Sequence, residues 1–197
     1  MLISVNDRWR RGSLRQSALA VIKVKYMSQP ETPDAFIEHR LRSAMSNTCS
    51  SVYIVSSGSE NESKNAITIT SFTSVSVSPP LILFCVNKSS RFASLIERSD
   101  TFAINFIHND QIEIAQICSQ SDVEEKFRQK GWLYKSGIPY LKDSNHVLFC
   151  DKTCIEEQGT HLVVYGNVKE VETENTKDSL LYYKREYAVI PDITTAL

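Results

Sequence analysis

Three short segments of the sequence carry residue types that could bind or process a small molecule. In the first, residues 65–80, an alternating strand pattern puts Thr68, Thr70 and Ser74 on one side and apolar residues on the other. Hydroxyls and backbone amides on such a strand can hydrogen-bond the polar edge of a planar heterocycle. A strand with one solvated face has the same alternation, and the pattern alone favours that plainer interpretation.

The second segment is Cys85-Val-Asn-Lys-Ser-Ser-Arg-Phe92, where a strand ends and a helix begins. Ser89 or Ser90 can cap that helix. The exposed amides of its first turn, with a cation from Lys88 or Arg91, would form an anion site that suits a phosphate group. A serine cap with incidental surface cations is the commoner arrangement, so this segment also leaves two interpretations open.

The third segment is Gly159-Thr-His161, at the start of an apolar strand. A histidine beside a cleft can donate a hydrogen bond or act as an acid, although a lone histidine is more often structural. The remaining histidines form no constellation with it in the sequence; they are His39, His108 and His146.

Composition excludes several functional classes. The chain has 197 residues, a formal net charge of -1, 42% hydrophobic and 23% charged residues, which suits one globular domain with some appended sequence. That charge gives no overall attraction to nucleic acid, and the aromatic residues are not interleaved with basic ones. No glycine-rich phosphate loop, G-x-S-x-G elbow or bilayer-length apolar run occurs.

The cysteines give no sign of a metal site or a disulfide framework. Their number is odd, no C-x-x-C pair exists, and no histidine pair stands near them at zinc spacing. We therefore expect the cysteines to be free thiols that pack as small buried hydrophobic residues, in a protein of a reducing compartment. The five are Cys49, Cys85, Cys118, Cys150 and Cys154.

The N-terminal leader differs in charge from the rest of the chain. Residues 1–27 contain six basic residues and one acidic residue, a net charge of +5. This composition resembles a mitochondrial transit peptide, and a tail without a targeting role, in a cytoplasmic protein, is the alternative. The sequence thus divides into a leader and linker at 1–33 and one domain at 34–197.

The pattern of elements predicts a mainly β protein with helical decoration, built as a closed barrel. A helix is expected from Thr32-Pro33 to about Ser46, with Leu41 and Met45 packed on the body. Asn109 and the Ser121-x-x-Glu124 capping box should each start a later helix. Strands are expected at 52–55, 66–77, 81–86, 101–107, 147–156 and 161–171, with 180–190 closing the chain.

Taken together, the segments resemble the flavin reductase-like family over about Phe36 to Tyr187. Each motif is short, and the signal lies in their order and spacing. The matching motifs are Leu41-Arg-Ser-Ala-Met45, residues 65–81, residues 83–90, Phe102-Ala-Ile-Asn-Phe106, Gln111 with Ala115, Gly159-x-His161, Gly166-x-Val168 and Leu180-Leu-Tyr-Tyr183.

The resemblance implies an FMN-binding split β-barrel that passes a hydride from NADH or NADPH to FMN or FAD. It also implies a homodimer and a partner monooxygenase that receives reduced flavin. By the same resemblance, His161 would sit on the nicotinamide side of the flavin. The implied flavin ring and ribityl contacts are Thr68, Ile69, Thr70 and Ser71, with Ser74 further along the strand, and the phosphate contacts are Asn87, Ser89 and Ser90.

The chain departs from the family at Thr160, where an acidic or small residue is usual between the glycine and the histidine. Two alternatives stay open beside a reductase. One is a non-catalytic flavin carrier or accessory subunit, and the other is a fold kept for protein contacts after loss of the flavin site.

Overall fold

The computed structural model describes residues 33–174 and 176–189. The basic leader at 1–27, with the targeting role expected of it, lies outside these residues. The described helices are α1 (Pro33–Ser46), α2 (Arg91–Arg98), α3 (Ile112–Cys118) and α4 (Val123–Arg128). The first strands are β1 (Ser50–Ser51), β2 (Tyr53–Gly58), β3 (Lys64–Ile69), β4 (Thr73–Val77), β5 (Pro80–Asn87) and β6 (Thr101–Phe106). The later ones are β7 (Trp132–Lys135), β8 (Ile138–Leu141), β9 (His146–Gln158), β10 (His161–Thr173), β11 (Leu181–Tyr183) and β12 (Glu186–Ala188).

The main sheet is antiparallel and has the strand order β3-β2-β6-β9-β10-β5-β4. Its two edge strands, β3 and β4, follow each other in the chain with only residues 70–72 between them. Because three residues span so short a distance, the sheet must curl until its two edge strands lie close together. β3 and β4 form no ladder with each other, so the closed barrel expected from the pattern of elements was wrong. The structure is the split barrel that the resemblance implied, with its seam at residues 70–72.

The prediction of one strand over 66–77 was wrong. The chain forms β3, leaves the ladder at Thr70 and re-enters the sheet as β4 at Thr73. Alternation of apolar and polar residues continues through both strands, so periodicity could not reveal the break. Only the pairing partners change, from β2 for β3 to β5 for β4.

The inner face of the barrel holds a core of apolar side chains that α2 covers. Phe92 and Ile96 of α2 are fully buried against the strands, as the sequence predicted for this helix. Gly166 in β10 makes room for the ring of Phe102, since a Cβ there would lie 2.4 Å from Phe102 Cζ. The other main members are Val55, Ile82, Phe84, Val86, Ile104, Leu162 and Val164.

A second apolar cluster lies on the outer side of β2 and β3. It joins Ile54 and Ala66 to Ala115 and Cys118 of α3, and to Leu180 just before β11. Leu180 fixes the C-terminal hairpin through two backbone bonds, from Val52 N–H to its carbonyl and from its own N–H to Ile107. The small sheet β1-β11-β12 is thereby held beside the seam of the barrel.

Two of the predicted helix caps shift by one residue. His108 Nδ1, not Asn109, accepts a bond from the Asp110 N–H (3.2 Å) to open a 3-10 turn before α3. Asp122, not Ser121, accepts from the Glu125 N–H to cap α4. The Ser90 cap of α2 is confirmed, with its hydroxyl 3.1 Å from the Ala93 N–H.

Two expectations about packing were also wrong. Leu41 and Met45 of α1 are each 59% exposed rather than packed on the body. Cys49 and Cys154 are exposed, whereas Cys118 and Cys150 are buried, and burial raises the pKa of each of these two thiols to about 12.

The sequence analysis missed the hairpin formed by β7 and β8, which follows α4 and precedes β9 in the sequence. No described helix is long and apolar enough to cross a membrane.

Candidate functional site

A cavity of about 950 Å³ opens at the seam between β3 and β5. Its walls come from distant parts of the chain, namely the end of β3, the end of β5, the start of β10, helix α3 and the β11–β12 hairpin. Pockets of this size and mixed polarity are typical of cofactor sites. The lining residues are Val52, Ile67, Thr68, Ile69, Thr70, Ser71, Cys85, Val86, Asn87, Ile112, Gln116, Ser119, His161, Tyr182, Arg185, Glu186 and Tyr187.

Ser71 closes the seam with its side chain. The β4–β5 register pairs Thr73 with Leu83, so Ser71 stands opposite Cys85. Its hydroxyl donates to the Cys85 carbonyl (2.9 Å) and accepts from the Cys85 N–H (3.1 Å). One hydroxyl therefore satisfies both backbone groups of Cys85 where the ladder has no partner strand.

The Thr68 hydroxyl is also committed to the fold. It donates to the Ala115 carbonyl at 2.6 Å and ties α3 to β3. Thr70, by contrast, is exposed at the cavity and its hydroxyl has no hydrogen-bond partner among the described residues. The side chains of Thr68 and Ser71 thus shape the wall, and Thr70 and the backbone of the 68–71 segment are left to contact a ligand.

Asn87, Ser89 and Ser90 form a compact turn before α2. Asn87 lines the main cavity, and its Oδ1 accepts from both the backbone N–H (2.9 Å) and the hydroxyl (2.8 Å) of Ser89. Ser89 and Ser90 line a smaller recess of about 280 Å³, not the main cavity. Ile67 and Ser119 line both spaces, so the recess lies next to the cavity, beside the start of α2.

His161 lies at the mouth of the cavity, on the first position of β10. It pairs with Asn87 of β5, and the Lys88 N–H donates to the Thr160 carbonyl at 3.0 Å. The Thr160 hydroxyl is 2.9 Å from His161 Nδ1, which fixes one side of the ring. Nε2 has no partner among the described residues, so it is available to a ligand.

Ser74 is the predicted contact that lies apart from the others. It is exposed on β4, opposite Ile82, and is not among the residues that line the cavity. The break at 70–72 explains this position, because Ser74 belongs to a different edge of the sheet from Thr68.

The C-terminal hairpin supplies cavity residues that the sequence analysis missed. Tyr182 and Tyr187 form an edge-to-face pair with ring centroids 5.5 Å apart, and burial raises the pKa of Tyr187. Arg185 is at the tip, with a left-handed φ of 67°. Their signal in the sequence was weak, since a short Tyr-rich strand pair gives no hint of the distant wall that it completes.

The arrangement suits an elongated ligand with a planar ring system and an anionic end. Apolar walls from Ile67, Ile69 and Ile112 can cover a ring, and free backbone groups near Thr70 can bond its polar edge. The recess before α2 offers hydroxyls and cations to an anion. A flavin nucleotide has this combination of parts, and the residues present therefore fit it.

Comparisons with known proteins agree with this interpretation. A flavin reductase from Pseudomonas putida is 32% identical over 126 residues, which are 62% of this chain and 72% of that protein. The reductase subunit of a flavin-dependent monooxygenase from Rhodococcus jostii is 29% identical over 163 residues, 82% of this chain and 83% of its own.

Among solved structures, nitrilotriacetate monooxygenase component B from Mycobacterium thermoresistibile superposes with a TM-score of 0.75. It is 27% identical, and the match covers 83% of this chain and 92% of that one. Residues 45–191 match the family described as "Flavin reductase like domain", which is three quarters of the sequence. The chain therefore belongs to the flavin reductase-like domain family.

Proposed function

We propose that this chain is an NAD(P)H:flavin oxidoreductase that uses FMN or FAD and either NADH or NADPH. The observation that carries the proposal is the cavity at the barrel seam, which gathers six of the nine sequence-predicted site residues from three distant segments. The relatives named above are flavin reductases or reductase components, which supports the same activity.

The chemistry that a bound flavin supplies is the acceptance of a hydride from the reduced nicotinamide. The protein's own contribution is to bind, orient and exclude water. In our proposal, the 68–71 segment contacts the ring and ribityl chain, while Asn87, Ser89 and Ser90 hold the phosphate. Ser71 and Thr68 act indirectly, because their hydroxyls keep the wall in place.

His161 is the proposed residue on the nicotinamide side. Thr160 orients its ring through Nδ1, which leaves Nε2 to donate to or accept from the nicotinamide or the flavin edge. The described lining residues include one carboxylate, Glu186, and no histidine besides His161. Thr160, the departure from the family pattern, is then a positioning residue.

Two further proposals concern assembly. The family and the names of the relatives support a partner monooxygenase that consumes reduced flavin. The homodimer is a proposal from the resemblance alone, and edge strand β4 exposes Val75 (48%) and Val77 (87%), apolar residues that a second copy could cover. Val77→Lys should shift the mass measured by light scattering from dimer to monomer, and an unchanged mass would place the interface elsewhere.

The mitochondrial location is a proposal from the leader alone. Residues 1–27 have the basic composition of a transit peptide. A fluorescent protein fused after residue 27 should colocalise with mitochondria. A diffuse cytosolic signal would favour the cytoplasmic alternative.

The decisive test follows NADH and NADPH absorbance with added FMN or FAD. The protein should oxidise NADH or NADPH at a rate that increases with flavin concentration. The rates for the four combinations of nicotinamide and flavin show which cofactor pair it prefers. Flavin binding without oxidation would instead indicate a flavin carrier or accessory subunit. A protein that leaves FMN fluorescence unchanged would contradict both.

A further inference from the structure

A second recess, of about 340 Å³, lies beside the flavin cavity at the C-terminal hairpin. It shares Thr70, Tyr182 and Arg185 with the walls of that cavity. It shares no described lining residue with the smaller recess before α2, where the flavin phosphate is expected. The cavity therefore borders two separate places, each of which can hold part of a ligand.

Backbone hydrogen bonds between the segment 42–50 and the hairpin build this second recess. Strand β1 pairs with β11, and the Lys184 N–H donates to the Ser46 carbonyl at 2.8 Å, which ties the end of α1 to the hairpin tip. These bonds bring Arg42 of α1 and Arg185 of the hairpin to the same space, although the two residues are far apart in the chain. We call this space the arginine recess.

The arginine recess has the charge of an anion site. Its described lining residues include two guanidinium groups and no carboxylate, since Glu186 lines the main cavity but not this recess. Thr48, Ser50 and Thr70 add hydroxyls to its wall. A guanidinium group binds phosphate oxygens through parallel N–H bonds, and hydroxyls can donate further bonds to the same oxygens. A phosphate monoester, which carries close to two negative charges, suits this combination of donors.

The end of α1 does not oppose an anion, although the C-terminal end of a helix carries partial negative charge. Protein donors occupy the carbonyls of residues 43–46. The N–H groups of Asn47, Thr48 and Lys184 bond the last three of these carbonyls at 2.8 to 3.1 Å. The first carbonyl accepts from the Asn47 side chain and the Ser46 hydroxyl. The charge of the recess therefore comes from its two guanidinium groups.

We propose that the arginine recess binds the 2′-phosphate of NADPH and makes the enzyme prefer NADPH to NADH. The inference rests on the proposed function, because the recess lies next to the cavity in which the nicotinamide meets the flavin. In dinucleotide sites a carboxylate commonly bonds the free ribose 2′-hydroxyl of NAD, whereas an arginine accommodates the 2′-phosphate of NADP. Arg185 lines both spaces and can contact the pyrophosphate that both nucleotides carry. Arg42 lines the recess and not the main cavity, so it is the residue that discriminates between them.

The first test compares kcat/KM for NADPH and NADH, with FMN present, in the wild-type chain and in Arg42→Met. We expect the wild type to favour NADPH by about 10-fold or more, the value of one charge-assisted hydrogen bond. In Arg42→Met the value for NADPH should fall about 10-fold, and that for NADH should change less than about threefold. The control is Arg40→Met, which removes another exposed arginine of α1 that does not line the recess and should leave both values unchanged.

A binding measurement tests the same recess without flavin or turnover. In titration calorimetry, adenosine 2′,5′-bisphosphate should bind the wild-type chain about 10-fold tighter than 5′-AMP, and Arg42→Met should remove that difference. Equal affinities for these two compounds, or equal kcat/KM for NADPH and NADH in the wild type, would overturn the inference while the reductase proposal stands.

Two further outcomes separate this inference from its neighbours. If Arg42→Met weakens the binding of FAD but changes neither FMN binding nor kcat/KM for NADPH, the recess holds the adenylate of FAD and the inference is wrong. If the wild-type protein oxidises neither nucleotide, the proposed function is wrong, and the calorimetric comparison still decides whether the recess binds a 2′-phosphate.

Discussion

The Ser71 hydroxyl hydrogen-bonds both backbone groups of Cys85 across the seam of the barrel, at 2.9 and 3.1 Å. Residue 71 follows β3 and residue 85 belongs to β5, so these two bonds connect strands that share no ladder there. The seam is also the floor of the flavin cavity. The same side chain thus stabilises the fold and sets the shape of the site.

Replacement of this serine tests that relationship. Ser71→Ala leaves the Cys85 N–H and carbonyl without their partner and should lower the free energy of unfolding by about 1–3 kcal/mol. It should also weaken flavin binding, because the 70–72 link is then free to move. Urea unfolding measures the first effect and flavin fluorescence the second. Ser74→Ala, an exposed change on β4, should leave stability within about 0.5 kcal/mol of wild type, and equal effects of the two would contradict the assignment.

His161 has a matched control at the other end of the same strand pair. His146 Nδ1 lies 3.0 Å from Thr173 Oγ1, much as His161 Nδ1 lies 2.9 Å from Thr160, but His146 is outside the cavity. His161→Ala should reduce kcat/KM for the nicotinamide at least about 10-fold, with the flavin Kd nearly unchanged. Thr160→Val should give a smaller loss, since the ring stays but its orientation is released. Steady-state kinetics of His146→Ala should match the wild-type enzyme, and a comparable loss there would indicate a structural effect.

The tip of the C-terminal hairpin offers a test that separates strain from function. Lys184 and Arg185 both have left-handed φ values, 51° and 67°, which cost side-chain-bearing residues about 1 kcal/mol each. Lys184→Gly and Arg185→Gly should therefore both raise the melting temperature slightly. Only Arg185 lines the cavity, and a guanidinium binds phosphate groups well, so only Arg185→Gly should raise the KM for NADH or NADPH. Identical kinetics for the two variants would show that Arg185 does not contact the nicotinamide substrate.

The cysteines predict a pH dependence of stability. Burial holds Cys118 and Cys150 as neutral thiols in the folded chain, with pKa values of about 12. Unfolded thiols ionise near pH 8.5. Since the folded pKa is raised, this contribution to stability is complete below about pH 8.5 and is lost as pH rises from there toward 12. Urea midpoints between pH 8 and 11 should fall. In Cys118→Ser the fall should be smaller, and an equal fall would mean that other groups cause it.

Thiol labelling of the native protein gives an independent check on the same residues. Exposed Cys49 and Cys154 should react with a thiol reagent at pH 8, whereas Cys118 and Cys150 should react only on unfolding. Mass spectrometry locates the labelled positions. Rapid labelling of Cys150 in folded protein would contradict its burial.

Much of the fold followed from local sequence patterns. The Ser90 cap and the apolar spacing of Phe92 and Ile96 determine α2, and the long alternating runs determine β9 and β10. Such signals depend on a few neighbouring residues, so they can be recognised from a short stretch of sequence alone. The motifs around Asn87 and Gly159-x-His161 could be read in the same way, and their order along the chain indicated the family.

Other features depended on partners that are distant in sequence. The break at 70–72 leaves the alternation of residues 66–77 unchanged, because side-chain direction has period two whether or not a strand changes partner. The separation of Ser74 from the site follows from that break. The place of Arg185 at the cavity depends on the C-terminal hairpin lying beside the seam. The sequence by itself determined the elements and the residue types of the site, and the tertiary structure decided which of those residues share one cavity, because packing brings together residues far apart in the chain.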